Sequence, residues 1–152
     1  MKMKYAFLGG GKMAEGIIQA MLRGGTATAS DICVAEKVGA RASYLRKKYK
    51  VTIAKDAAAA AQASVVFVAV RPQDAAALAQ EVGTLSAKQL LVSIMAGKSL
   101  AAVTKLFGAA VRKVRVMPNL ALRAGEGMCA VCAAKNATAG DVRKVVKILS
   151  GA

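Results

Sequence analysis

The segment that most constrains the fold opens the chain: a short apolar run, three glycines, and then a stretch with helical periodicity. Gly9, Gly11 and Ala14 match a G-x-G-x-x-A pattern. Gly9 permits a tight strand-to-helix turn, Gly11 lets a phosphate approach the backbone, and Ala14 lets the helix lie close to the strand. The first helical turn also offers free N–H groups and a positive dipole end. The pattern predicts an anion-binding turn, with a ligand-free glycine turn as the alternative.

Strand-like and helix-like segments alternate along the whole chain, which favours an α/β fold. We expect a doubly wound, Rossmann-type, mostly parallel sheet with helices on both faces. Asp56, Ser99 and Thr138 are predicted helix N-caps. Strands are predicted at residues 4–8, 31–35, 51–53, 65–70, 89–94, 114–117 and 128–133, and helices at 13–22, 39–50, 57–63, 74–82, 100–107 and from Thr138 to about Leu149.

The length of 152 residues suits one domain, residues 1–152. No apolar run reaches the roughly 20 residues that a membrane span needs. The first apolar run is broken by glycine within a few residues, so it does not resemble a signal peptide. We therefore expect a cytoplasmic protein without membrane association.

The formal net charge of +15 is large for this length, and seven basic residues lie between Lys37 and Lys55. Such a field could attract nucleic acid, or it could form a solvated face that draws in anionic cofactors. No aromatic platform and no groove-reading motif accompanies the basic residues. The sequence favours the solvated face, and no nucleic-acid partner is expected.

Three cysteines, Cys33, Cys129 and Cys132, are expected to be reduced thiols. Cys129 and Cys132 have C-x-x-C spacing, but residues three apart on a strand point to opposite faces. Two small buried apolar residues are therefore favoured over a redox pair or half of a zinc site. The chain has no histidine, and the sequence assigns neither a metal ligand nor a catalytic residue.

In a doubly wound sheet, ligands bind beyond the carboxyl ends of the strands. Arg71 lies at one such end and could face a phosphate or a carboxylate, or could simply be solvated. Asn119 could hold an amide or a ribose, or could form a turn after proline. Glu36 could accept hydrogen bonds from an adenosine ribose, whereas Lys37 would favour a 2′-phosphate. The sequence leans slightly to NAD, and the choice between NAD and NADP stays open.

Taken together, these segments resemble the Δ1-pyrroline-5-carboxylate reductase family. The resemblance is carried by Leu8-Gly9-Gly10-Gly11-Lys12-Met13-Ala14, Val70-Arg71-Pro72-Gln73, Ser93-Ile94-Met95-Ala96-Gly97, Arg115-Val116-Met117-Pro118-Asn119 and Gly125-Glu126-Gly127-Met128. It covers essentially the whole chain and matches the family's cofactor domain.

The resemblance implies an NAD(P)H-dependent oxidoreductase of proline biosynthesis that reduces the C=N bond of 1-pyrroline-5-carboxylate to give L-proline. It implies that the cofactor is bound by Leu8, Gly9, Gly10, Gly11, Lys12, Met13, Ala14, Glu36, Lys37, Ala69, Val70, Arg71, Pro72, Ala96, Gly97 and Asn119. A non-catalytic nucleotide-binding module with a basic surface, or another imine or keto-acid reductase on the same fold, remains the alternative.

The chain departs from the family pattern at three points. Arg71 replaces the usual lysine, and residues 120–124 replace a Thr-Pro-Ala-Leu-Val segment. In the family, a further helical domain carries the substrate loop and the homo-oligomer interface, and the chain ends before it. We expect a cofactor domain alone, with few partners for the substrate.

Overall fold

The computed structural model describes residues 2–119 and 128–151, which form a sheet flanked by helices. The strands are β1 (Tyr5–Leu8), β2 (Ile32–Ala35), β3 (Thr52–Ile53), β4 (Val65–Val68), β5 (Leu90–Ser93), β6 (Arg112–Met117) and β7 (Ala130–Ala133). The helices are α1 (Lys12–Arg23), α2 (Gly39–Tyr49), α3 (Ala57–Ala60), α4 (Ala75–Val82), α5 (Leu100–Phe107) and α6 (Ala139–Leu149).

The strand order is β3-β2-β1-β4-β5-β6-β7. All neighbouring pairs are parallel except β6 and β7, which are antiparallel. The order reverses between β1 and β4, which is the switch point of a doubly wound sheet. The predicted fold class is therefore confirmed.

The sheet separates two apolar cores. One core packs β1, β4 and β5 against α1, α2 and α6, and the other packs the opposite face against α3, α4 and α5. Phe7 and Phe67 are register partners on β1 and β4, and their rings stack with centroids 4.5 Å apart. Because both faces are covered, the central strands are apolar at nearly every position, as parallel strands usually are.

The predicted caps are present and the element bounds differ by a few residues. Asp56, Ser99 and Thr138 each accept a backbone N–H in the first turn of their helices. Helix α3 ends at Ala60 rather than at residue 63. The predicted strand 65–70 is shorter: β4 ends at Val68, the N–H of Ala69 still donates to the carbonyl oxygen of Leu8 (2.8 Å), and Ala69 and Val70 line a cleft. Within the described residues, no helix has the length and apolarity needed to cross a membrane.

The cysteines are free thiols, and one expectation about them is wrong. Cys33 is buried and Cys129 is partly buried, but Cys132 is exposed rather than buried. Cys132 lies on β7, which pairs with β6 at the end of the strand order and has mostly exposed residues. An edge strand that helices cover poorly leaves even small apolar side chains in contact with solvent.

Candidate dinucleotide-binding cleft

A cleft of about 740 Å³ lies beyond the carboxyl ends of β1, β2 and β4 and reaches the N-terminal end of α3 and one side of α4. It coincides with the switch point of the sheet, where ligands bind in folds of this architecture. Predicted cofactor residues that line it are Gly9, Gly10, Gly11, Glu36, Lys37, Ala69, Val70 and Arg71.

The three glycines of the turn have different physical requirements. Gly9 has φ +104°, and a Cβ there would lie 2.7 Å from the carbonyl oxygen of Ala69. A Cβ on Gly10 would lie 2.7 Å from a Leu45 methyl group. Gly11 has φ −72°, and a Cβ there would meet no atom within 4 Å. Only Gly11 therefore leaves free space on its Cβ side, next to the N-terminus of α1.

The side chain of Glu36 joins the glycine turn to the start of α2. The N–H of Gly10 donates to Oε2 of Glu36 (2.8 Å), and the N–H of Val38 donates to Oε1 (2.9 Å). Two backbone donors therefore fix the carboxylate at the end of β2, where an acidic side chain meets an adenosine ribose in dinucleotide-binding folds. Its remaining lone pairs can still accept hydroxyl hydrogens.

Glu15, a buried carboxylate that the sequence did not indicate, supports the glycine turn through Arg41. Glu15 is 1% exposed and accepts hydrogen bonds from Arg41 (2.6 Å), Tyr49 (2.7 Å) and Tyr44 (3.0 Å). Burial raises the pKa of Glu15, but the hydrogen bonds from Tyr49, Arg41 and Tyr44 outweigh it and lower the pKa from 4.5 to about 2. Glu15 is therefore a charged anchor between α1 and α2.

Arg41 connects this anchor to the cleft. Its Nε donates to the carbonyl oxygen of Gly10 (2.6 Å) while its second guanidinium nitrogen pairs with Glu15. The backbone of Gly10 is thus held by Glu36 at its N–H and by Arg41 at its carbonyl. No motif marks this arrangement in the sequence, because the partners are separated by 26 to 31 residues.

Ion pairs lie along the rim of the cleft. Lys37 Nζ is 3.4 Å from Oε2 of Glu81 on α4, and Oε1 of Glu81 accepts the N–H of Ala57 (3.1 Å). Arg71 pairs with Asp74 at 2.9 Å. Lining residues that sequence reasoning missed are Ala35, Val38, Ala54, Lys55, Asp56, Ala57, Asp74, Ala77, Leu78 and Glu81. Most of them follow β3 or belong to α3 and α4, and only the tertiary fold brings these elements to the cleft.

The remaining predicted residues lie outside the cleft wall. Leu8 and Ala14 are buried, and Lys12 is exposed at the first position of α1 with Met13 after it. Ala96 and Gly97 follow β5, and Asn119 follows β6, all exposed. Pro72 opens a short turn after β4. β4, β5 and β6 are parallel neighbours, so these residues lie at the same carboxyl edge of the sheet as the cleft. Ala96, Gly97 and Asn119 lie on the β5–β6 side, away from β2. The divergent segment 120–124 and the glycine-rich residues 125–127 lie outside the described residues.

Comparisons with known proteins agree with this geometry. The family model described as "NADP oxidoreductase coenzyme F420-dependent" matches residues 4–97. A pyrroline-5-carboxylate reductase from Synechocystis is 34% identical over 151 residues, which cover 99% of this chain and 56% of that protein. The chain thus spans about half the length of the curated relatives it matches.

Solved structures share the fold. A pyrroline-5-carboxylate reductase from Coxiella burnetii superposes with a TM-score of 0.89 at 24% identity, covering 99% of this chain and 57% of that chain. The Plasmodium falciparum pyrroline carboxylate reductase with NADP bound has a TM-score of 0.85 at 20% identity, covering 98% and 55%. The chain therefore belongs to the family described as NADP oxidoreductase, coenzyme F420-dependent, and resembles pyrroline-5-carboxylate reductases over about half of their length.

Proposed function

We propose that residues 1–152 are the nicotinamide-dinucleotide domain of a reductase that converts 1-pyrroline-5-carboxylate to L-proline. The observation that carries the proposal is the cleft at the switch point, where the open Cβ side of Gly11 adjoins the N-terminus of α1 and Glu36 lies at the end of β2. The similarity to pyrroline-5-carboxylate reductases along 99% of this chain supports the choice of reaction.

The residues fit a dinucleotide in an extended pose. The N–H groups of the first turn of α1 and the Lys12 cation would hold the pyrophosphate, since a helix N-terminus favours anions. Glu36 would hold the adenosine ribose. Ala96, Gly97 and Asn119 would lie toward the nicotinamide end, on the β5–β6 side. The bound dihydronicotinamide would supply a hydride to the imine carbon.

The chain's own contribution to such a reaction is orientation. If the imine nitrogen is already protonated, the reduction needs little acid–base catalysis, and alignment of the two rings becomes the main catalytic effect. A chain without histidine can provide that. We place the groups that bind the small-molecule substrate, and the contacts of a homo-oligomer, in the part of the relatives that this chain does not span.

Titration of the 152-residue chain with NADH and NADPH, followed by nucleotide fluorescence, tests the proposal. We expect saturable binding of at least one of the two and slow or no turnover of pyrroline-5-carboxylate by this chain alone. Absence of binding by both would overturn it. Binding of nucleic acid with a steep salt dependence, without nucleotide binding, would instead favour a basic interaction module.

A further inference from the structure

The end of the cleft beside β2 carries an arrangement of charges that bears on which dinucleotide it accepts. NAD and NADP differ there by one phosphate on the adenosine ribose. Folds of this type recognise NAD with an acidic side chain on the ribose hydroxyls, and NADP with an arginine on the 2′-phosphate. We propose that this cleft selects NAD(H) over NADP(H), with Glu36 as the specificity-determining residue. The inference rests on the proposed function, because it takes the cleft to hold a dinucleotide.

Glu36 cannot easily move aside for a phosphate. Its two carboxylate oxygens accept the N–H groups of Gly10 and Val38, so rotation of the side chain would leave two backbone donors without a partner. The carboxylate also lies beside the first residues of α2, where the helix dipole favours a negative charge. Glu36 therefore takes the place beside α2 that a 2′-phosphate would need.

The guanidinium of Arg41, which contacts the glycine turn, is not free to neutralise such a phosphate. Arg41 is bound to the carbonyl oxygen of Gly10 and to the buried carboxylate of Glu15, each at 2.6 Å. If Arg41 turned toward the ribose, it would leave the buried Glu15 charge without its closest cation, at a high cost. The sequence position of Arg41, five residues after Glu36, would suit a phosphate contact, but the tertiary structure directs it away.

The lysine beside Glu36 is also paired. Lys37 lies 3.4 Å from Glu81, and its side chain is 82% exposed, so the pair is weak and the lysine can move. Any such movement leaves the Glu81 carboxylate at the same end of the cleft. Among the residues that the structure describes, four carboxylates and three cations line the cleft. The whole chain, by contrast, carries only eight acidic residues and a net charge of +15. The described lining of the cleft therefore lacks the excess of positive charge that the chain carries as a whole.

The experiment compares dissociation constants for NADH and NADPH on the wild-type 152-residue chain, Glu36→Gln and the control Asp31→Asn. Glu36→Gln removes the charge, nearly keeps the shape and retains one acceptor oxygen for the N–H groups of Gly10 and Val38. Asp31→Asn removes the same charge outside the cleft. We expect NADH to bind the wild type at least about tenfold more tightly. In Glu36→Gln the ratio should fall to within about threefold, and Asp31→Asn should leave it unchanged.

A second variant keeps the test decisive if Glu36→Gln does not fold. Glu81→Gln keeps an acceptor for Ala57 and releases Lys37, so NADPH affinity should rise by a few-fold. NADPH binding to the wild type as tightly as NADH, or a ratio that neither variant moves, would overturn the inference while leaving the dinucleotide site intact. Loss of binding of both nucleotides by the wild type would instead overturn the proposed function.

Discussion

At the scale of single residues, the glycine turn shows how one motif combines separate constraints. The pattern G-x-G-x-x-A predicted that Gly9 permits the turn and that Gly11 leaves room for a ligand. The positive φ of Gly9 and the empty space at Gly11 agree with both roles. The requirement at Gly10 was not predictable, because it arises from Leu45, which is distant in sequence.

These differences predict opposite outcomes for two substitutions. Gly9→Ala should lower the free energy of unfolding by at least about 2 kcal/mol, because φ is positive and Ala69 blocks the Cβ. Gly11→Ala should leave stability within about 0.5 kcal/mol but weaken dinucleotide binding by about tenfold or more, because its methyl group would fill the phosphate approach.

Denaturant titration and nucleotide titration separate the two effects. Gly140→Ala in the first turn of α6 is the matched control, since its Cβ would have its nearest neighbour at 3.5 Å and it lies outside the cleft lining. It should leave nucleotide binding unchanged. Unaltered nucleotide affinity in a folded Gly11→Ala variant would contradict the assigned role of Gly11.

At the scale of elements, the helices and strands were largely predictable from sequence, but the side-chain contacts between neighbouring helices were not. The alternation of apolar strands with capped helices predicted each strand and each α-helix of the described chain to within a few residues, but not the two short 3-10 turns. The basic face of α2 was expected to be simply solvated. Instead Arg41, Tyr44, Lys48 and Tyr49 of α2 converge on Glu15 of α1. A charge pattern along one helix does not reveal which carboxylate a neighbouring helix will bring to it.

The α1–α2 anchor predicts an acid-dependent loss of stability. The pKa of Glu15 in the folded chain, about 2, lies below its ordinary value of 4.5. A lowered carboxyl pKa contributes stability that is fully present above about pH 5 and is lost as the pH falls toward 2. The contribution is roughly 3 kcal/mol, from a difference of about 2.5 in pKa.

Urea titrations of the wild type and Glu15→Gln between pH 7 and pH 3 measure this contribution. Glu15→Gln should cost about 3 kcal/mol at pH 7 and much less at pH 3. Two other carboxylates also make stability depend on pH. Hydrogen bonds from Thr28 lower the pKa of Asp31. Burial raises the pKa of Asp141, but hydrogen bonds from Thr138 and Arg112 outweigh it and lower that pKa. The difference between wild type and variant removes that background, and a pH-independent difference would contradict the charged anchor.

At the scale of the whole molecule, the two cores leave different parts of the sheet accessible. Cys33 is 4% exposed on β2, between β1 and β3, whereas Cys132 is exposed on the edge strand β7. Burial raises the pKa of the Cys33 thiol. That thiol can reach solvent only if the sheet opens. The three cysteines therefore differ in solvent exposure, and the reactivity of each thiol reports on a different part of the fold.

Thiol alkylation followed by peptide mass mapping should label Cys132 first, Cys129 more slowly and Cys33 last. The rate at Cys33 should follow the free energy of global unfolding as urea is added, because opening of the central sheet is a global event. In 6 M guanidinium chloride the three rates should converge. Labelling of Cys33 as fast as Cys132 under native conditions would show that the β2–β3 side opens independently.

The sequence by itself determined the fold class, the order of the elements, their caps and the glycine turn, because these depend on periodicity and on contacts between near neighbours. The tertiary structure alone decided how the cleft is charged: it placed Glu36 on the backbone of Gly10, directed Arg41 to Glu15, and brought Glu81 opposite Lys37. Those contacts join residues that are 26 to 44 positions apart, and packing of helices on the sheet, rather than any local pattern, sets which of them meet. The glycine turn is thus predictable from sequence, whereas the selectivity proposed for the cleft depends on contacts that only the folded chain makes.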